Sequence, residues 1–442
     1  MTASLSPLAS ATADRRDRYL QTLALVLQAA LPQDLPLTDL RRRAAAALQE
    51  QTFPSPRQED WRFTDLSPLL ALDLHPAPAV SDPDLPDWSD LGTPAVQLVL
   101  VNGHFCPALS RMEGLPPGAI AGSLRHLLNQ PDLAPHFLPR LAQAPGQQEV
   151  FTALNSLGFA DGVGLWVPPH LQVALPVQIL HLTSAALEPQ LAQPRSLVVV
   201  EAGSQLTLVE QYGGDGASPP VTNAVTEIWL ESGAQIRHSR LQRQGQESFH
   251  LGKTAVMQGV DSQYAGTALH LGGRLNRHDW QVYQTGPQTT TQLQSLALLR
   301  GEQHSDTHSL VALGHPHGQV EQRHRAIVDN RAHSVFNGRI VVPQAAQFTN
   351  ASQLNRNLLL SNQARVDTKP QLEIVADNVK CAHGATVSQL QADQIFYLQS
   401  RGISARQAQR LLIYAFAMDI LQTLPVAPLR DRLSATLADW RG

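Results

Sequence analysis

Four stretches in the second half of the chain repeat one pattern, and a chain that repeats itself in this way has few folds open to it. ALHLGGRLNRHDWQV, ALLRGEQHSDTHSLV, AIVDNRAHSVFNGRIV and LLLSNQARVDTKPQLEI each run an apolar segment into Gly or Asn, then a polar turn, then a second strand. The aligned turn residues are Gly273, Gly301, Asn330 and Asn362, spaced 28, 29 and 32 apart. Gly and Asn tolerate the left-handed backbone that a sharp corner needs. Strand-only repeats of this length suggest a β-helix, in which each coil buries its apolar face on its neighbours. The pattern alone also leaves open a sandwich or barrel with regular strand spacing.

The strand-rich texture runs from Gly162 to about Gln389, through LWVP, QILHL, SLVVVEA, QLTLVEQY, TEIWLES and RIVVP. This region holds His278, His304, His308, His315, His317, His324 and His333. It contains no HExxH and no paired CxxC, so these histidines are expected to be solvated turn residues rather than a metal cluster.

Both flanks read as helical. Leu20, Leu23, Leu27 and Leu31 form one stripe of a helix over Ala13–Leu31, and a second helix is expected over Thr38–Gln51, with Leu37, Leu40, Ala44, Ala47 and Leu48 inward. EDWRFTDL follows (Glu59–Leu66), its Trp61 and Phe63 expected to anchor the helices. Leu72–Thr93 is rich in Pro and Asp and reads as a linker, Val96–Val101 as a strand, and Asn102-Gly103 as a tight hairpin turn. Cys106, just beyond, is expected to be a semi-buried structural thiol. Ser123–Leu157 turns helical but is cut by Pro131, Pro135, Pro139 and Pro145. After the strands, Gln391–Arg401 is a helix stopped by Gly402, and Ser404 with Gln407 makes a capping box for a helix to about Leu424, with a last short one over Pro428–Trp440. Leu411–Met418 is apolar all round, so neighbouring helices or a partner protein must cover it. The expected units are 1–90 (helices and linker), 91–160 (strand and short helices), 161–389 (β-helix core) and 390–442 (C-terminal helices).

Composition narrows the function. A length of 442 residues is too much for one compact core, and 43% hydrophobic with 16% charged residues is a composition that folds. A net charge of -4 argues against nucleic acid as the main partner. Two cysteines make no disulfide framework, which points to reducing, cytosolic surroundings. The first residues lack a secretory pattern, and no apolar run is long enough to span a membrane. No GxxxxGK[ST] is present, so ATP chemistry does not belong to this chain.

Between the β region and the helical tail lies DTKPQLEIVADNVKCAHGATVSQL, Asp367–Leu390. Cys381 and His383 are two apart, so on a strand they share a face and could hold iron or zinc together. Two ligands do not close a site, and Cys106 is the one other sulfur from cysteine. The alternative is a buried Cys beside a His satisfied by backbone.

Three elements in order resemble the SufB/SufD family of iron–sulfur cluster assembly, and specifically its SufD-type members. These are EDWRFTDL; the run Lys369-Pro370-Gln371-Leu372-Glu373-Ile374 followed by Lys380, Cys381, His383, Gly384, Ala385 and Thr386; and QIFYLQSRGIS at Gln394–Ser404. The K-C-x-H-G sequence and the poverty of cysteines set the chain apart from the SufB-type paralogue. The resemblance implies a mainly β fold with helical ends, built on a right-handed parallel β-helix. It implies a non-catalytic scaffold subunit that pairs with SufB through the β-helices and docks the SufC ATPase on its C-terminal helices, with Phe396, Arg401, Gly402, Leu411, Leu412, Ala415 and Phe416 as the docking region. It places His383, assisted by Cys381, at a transient iron–sulfur cluster shared with SufB. ATP enters through SufC alone; whether a flavin of such complexes touches this subunit, and whether the isolated chain forms a homodimer, are left open. The resemblance implies a cytoplasmic protein, or a stromal one in a plant. The competing class is a carbohydrate-active β-helix enzyme using Asp306, Asp329 and Asp367, against which stand the 5% aromatic content and the lack of a secretion signal.

Overall fold

In the computed structural model, residues 7–31, 37–80, 95–184, 186–214 and 220–438 are described. Successive strands from Arg195 onward alternate between two sheets, and within each sheet every neighbour is parallel and in register. The result is a parallel β-solenoid of about 7 turns, as the repeat predicts. One column shows how it is held. Ile228, Val256, Val282, Val311 and Ile340 occupy matching inward positions on successive coils, all buried, and Leu372 continues the column on the last coil. Each such side chain contributes about 1.5–3 kcal/mol by leaving water. A single coil has nothing to bury this row against, so the coils stabilise one another.

Two corner ladders turn the chain. Gly273, Gly301 and Asn330 adopt φ of 86°, 64° and 52°, as expected, and Gly301 N donates to Asn330 Oδ1 at 2.9 Å. Asn362 departs from the expectation. It lies in the matching turn without a left-handed backbone, and its Oδ1 accepts from Gln389 Nε2 at 3.2 Å. The second ladder carries little sequence signal: Asp261, Gln288, His317 and Phe348 all have φ of 60–65°. Each passes its N–H to the carbonyl of the next coil's corner, at 2.8–3.1 Å, which holds the left-handed residue in place.

The N-terminal region packs beside the first coils. Helix α1 (Pro7–Ala29) starts and ends earlier than its apolar stripe suggests, and α2 spans Thr38–Gln49. Leu20, Leu23, Leu27 and Leu48 are buried together with Leu154 and Leu157 of α5 (Val150–Gly158). Two short helices, α3 (Leu124–Leu128) and α4 (Ala134–Phe137), precede α5, interrupted as the prolines predict. Asn102 and Gly103, at φ 55° and 84°, close the expected hairpin between Val96–Val101 and His104–Phe105. The linker expectation needs correction at its start, because His75–Pro76 pairs with Gln190–Leu191. The remainder of that stretch from residue 81 lies outside the described residues.

Three helices end the chain: α6 (Ala392–Ser400), α7 (Ala405–Leu421) and α8 (Ala427–Ala438). Gly402 stops α6 with φ 85°, and the Ser404–Gln407 capping box starts α7. The solenoid itself covers one side of α7, a partner the apolar pattern could not name. Ala417, Ile420 and Leu421 bury against Leu241, Leu269, Leu296 and Ile327, while Leu429 and Leu433 of α8 join the same cluster.

Candidate functional site

The last coil, Arg365–Ile374 and Lys380–Gln389, has no successor, so its inward face ends the solenoid open. The effect shows at matching positions. Ala351, Gln353, Asn355 and Asn357 are all buried, whereas their register partners Cys381, His383, Ala385 and Val387 are half or fully exposed. Cys381 and His383 therefore share one face, as their spacing predicts, and that face is the uncapped interior. Cys381 rests partly on the apolar column, and this burial pushes its thiol pKa up, against a smaller opposing contribution from the Ala351 backbone. Cys106 is buried among Val99, Val101, Leu180 and Leu182, near the opposite end of the same sheet. It is the structural thiol expected and cannot join Cys381. Among the described residues no group of three His, Cys, Asp or Glu side chains could hold a metal ion.

Behind the open end lies a polar column. The solenoid interior is apolar along one half and polar along the other, because each strand carries both classes at the same parity. His278 and His324, expected to be solvated turn residues, are buried strand residues inside it. His250 and His270 join them, with no singling-out signal beyond their alternate positions. At its deep end Glu210 is fully buried. Its Oε1 accepts from Thr226 Oγ1 at 2.6 Å, Tyr212 Oη at 2.9 Å and His181 Nε2 at 3.1 Å, and His238 Nε2 stands 3.4 Å from Oε2. Burial alone would raise the Glu210 pKa, but the two imidazole donors hold it well below the ordinary carboxylate value. Trp280 Nε1 donates to Tyr264 Oη at 3.0 Å, so Tyr264 is free to donate to His238 Nδ1 at 3.1 Å, leaving the His238 proton on Nε2 facing Glu210. Burial pushes His270 and His324 down to about 3, so both rings are neutral.

On the outer face of the other sheet, the one that carries Arg365–Ile374, a second polar cluster joins two segments far apart in the chain. Thr64 Oγ1 donates to Asp306 Oδ2 at 2.6 Å and lies 2.9 Å from His304 Nε2. His304 Nδ1 is 3.1 Å from His333 Nδ1, whose Nε2 is 2.7 Å from Asp367 Oδ2. Arg277 binds Asp306 Oδ2 at 2.6 Å and lies 3.8 Å over the Trp61 ring, and Lys369 pairs with Glu59. EDWRFTDL is thus clamped to DTKPQLEI. Trp61 and Phe63 hold it to the solenoid through Arg277 and Arg365, and only Trp61 also reaches the helices. Burial would raise the Asp306 pKa, yet His308 and Arg277 keep it well below the carboxylate range. Of the carboxylates in the competing hydrolase reading, Asp306 is locked against Arg277 and Asp367 is tied to His333 and Arg365.

In the tail, Phe396, Arg401, Gly402, Leu411 and Ala415 are exposed, while Leu412 and Phe416 are half-buried. Phe416 lies under Arg325, whose Nη1 donates to the Phe416 carbonyl at 2.7 Å. The structure brings α6 and α7 side by side and leaves Phe396 and Leu411 to solvent at 71% and 48%.

The chain is thus a parallel β-solenoid with helices toward both termini, and its uncapped last coil presents Cys381 and His383. The chain belongs to the SufBD family. The family model described as the SufBD core domain of the SUF iron–sulfur cluster assembly system matches residues 181–416, and that of the SufBD N-terminal region matches 17–179. Its relatives include an iron–sulfur cluster assembly SufBD family protein of Synechocystis, 43% identical over 94% of each chain. Others are the chloroplastic protein ABCI7 of Arabidopsis thaliana, 32% identical over 98% of this chain and 92% of that one, and the SufD of Escherichia coli, 31% identical over 87% and 88%. No described helix is long and apolar enough to cross a membrane.

Proposed function

We propose that this chain is the SufD-type, non-catalytic scaffold of a SufBCD assembly, working in the cytoplasm, or in the stroma if the source is a plant. The carrying observation is the exposure of His383 on the uncapped interior face of the last coil. Two strands there have unpaired edges and an open apolar row, which a second solenoid of the SufB type would cover. His383, with Cys381 beside it, then supplies ligands to a nascent iron–sulfur cluster, and SufB supplies the rest. The cluster is cargo. ATP is handled by SufC, docked on the exposed side of α6 and α7. No flavin site is assigned to this chain.

The test is co-expression with SufB and SufC from the same organism. The expected assembly holds one copy of this chain, one SufB and two SufC. His383→Ala should leave that mass unchanged and lower cluster delivery to an acceptor protein. Unchanged delivery removes the site assignment and spares the scaffold; a chain that stays alone removes both.

A further inference from the structure

The reading of His383 as a cluster ligand, on which this inference rests, leaves open what holds its ring. The coil beneath it carries a hydrogen-bond network of fixed direction. Gln322 Oε1 lies 2.8 Å from Ser309 Oγ, 3.1 Å from His324 Nε2 and 3.2 Å from Gln353 Nε2. A carbonyl oxygen only accepts, so all three partners donate. His324 therefore carries its proton on Nε2, and Ser295 Oγ, 2.7 Å from Nδ1, donates there. Gln353 is fixed in turn with its amino group toward Gln322. The two ends of a carboxamide diverge, so Gln353 Oε1 points away from that strand, and it is buried without a hydrogen-bond partner.

The strand on that other side carries His383. Gln353 and His383 are register partners with side chains on the same interior face, one strand spacing of about 4.8 Å apart. Gly338, across the interior, leaves room for the amide. A Cβ there would come within 2.2 Å of Gln353 Nε2, so no other residue leaves room for this orientation.

We propose that Gln353 is a positioning residue for His383. Its Oε1 accepts one ring N–H of His383, which fixes a single neutral tautomer and turns the lone pair of the other nitrogen out of the open end. Ligating imidazoles need this arrangement, with one nitrogen donating to an oxygen and the other bare.

The test uses the full chain labelled with 15N in its histidine rings, with the His383 signals identified by their loss in His383→Gln. In the wild type the two ring nitrogens should separate into one protonated and one bare. In Gln353→Met, similar in volume but without the acceptor, they should move toward a common, tautomer-averaged value. In the assembled complex Gln353→Met should lower cluster formation by about 10-fold. Should Gln353→Met fail to fold, Gln353→Asn, which draws the acceptor back by one methylene, is read the same way. A wild-type ring already averaged, or an acceptor-free variant with the wild-type spectrum, overturns the proposal. A tautomer that responds to Gln353 together with a His383→Ala complex that still delivers clusters would uphold the positioning and remove the functional reading; the opposite pair of results removes the positioning alone.

Discussion

Two histidine-bearing clusters, one between the two sheets and one on the outer face of one of them, are built in different ways. In the strand Leu275–Gln284, Asn276, His278 and Trp280 point into the solenoid, while Arg277 and Asp279 point out toward EDWRFTDL. The inner cluster is enclosed by the repeat itself, each coil covering the last. The outer one is enclosed by Thr64, some 240 residues away in sequence. Enclosure by the repeat buries the cluster coil by coil. Enclosure by a single segment can be undone by moving that segment.

The largest effect should come from breaking the inner cluster. Glu210→Ala strands the donors of His181, Tyr212 and Thr226 in a dry interior and should cost about 3–5 kcal/mol, read by urea unfolding. Because the folded pKa of Glu210 lies below its unfolded value, its contribution is present above about pH 4.3 and is lost as pH falls below that. A loss under 1 kcal/mol would show that the column is dispensable to the fold.

The outer cluster should yield less, and locally. Thr64→Val removes one hydroxyl from Asp306 and His304, a loss of about 1–3 kcal/mol. Amide exchange should rise over Glu59–Leu66 and not in the coils beneath. Burial pushes the His304 pKa down to about 4 and lowers that of His333 as well, the latter against the opposing pull of Asp367. The unfolded rings, near 6.5, bind protons first on acidification, so the clamp is complete above pH 6.5 and weakens steadily toward pH 4. Exchange over Glu59–Leu66 that stays flat between pH 7.5 and pH 5 would contradict this. The smallest effect belongs to Lys369→Ala. Its partner Glu59 is exposed, so melting should shift within experimental error, and a clear drop would mean the clamp depends on this pair far more than exposed ion pairs usually allow.

The same contrast explains what could be read from the sequence. The solenoid was legible because its corners fall at Gly273, Gly301 and Asn330, and because apolar strands recur between them. Cys381 and His383 were legible as a same-face pair, and Gly402, Ser404 and Gln407 as helix punctuation. The interior histidines were not, since His324 in QRHR looks like any polar strand residue until the fold decides which parity is inside. The left-handed corner at Phe348 was hidden as well. Nothing in a phenylalanine suggests φ of 60°; its N–H donates to the carbonyl of Asn378 on the next coil at 2.8 Å and its ring stacks on His317. The meeting of EDWRFTDL with DTKPQLEI is a matter of three-dimensional distance, and each motif taken alone gives no sign of the other.

The in-register stacking has one more consequence. Every coil advances the chain by one strand spacing, about 4.8 Å, without rotating the pattern of inward and outward side chains. The solenoid therefore behaves as a ruler with His383 at its tip. Inserting or deleting one whole coil between Glu210 and Asn350 would slide the tip along the axis by one graduation and leave its outlook unchanged. A change of a single residue within a strand would instead turn that strand's inward face outward. Length in this protein can be adjusted only in whole turns, and those turns fix how far the tip stands from the helices at the other end.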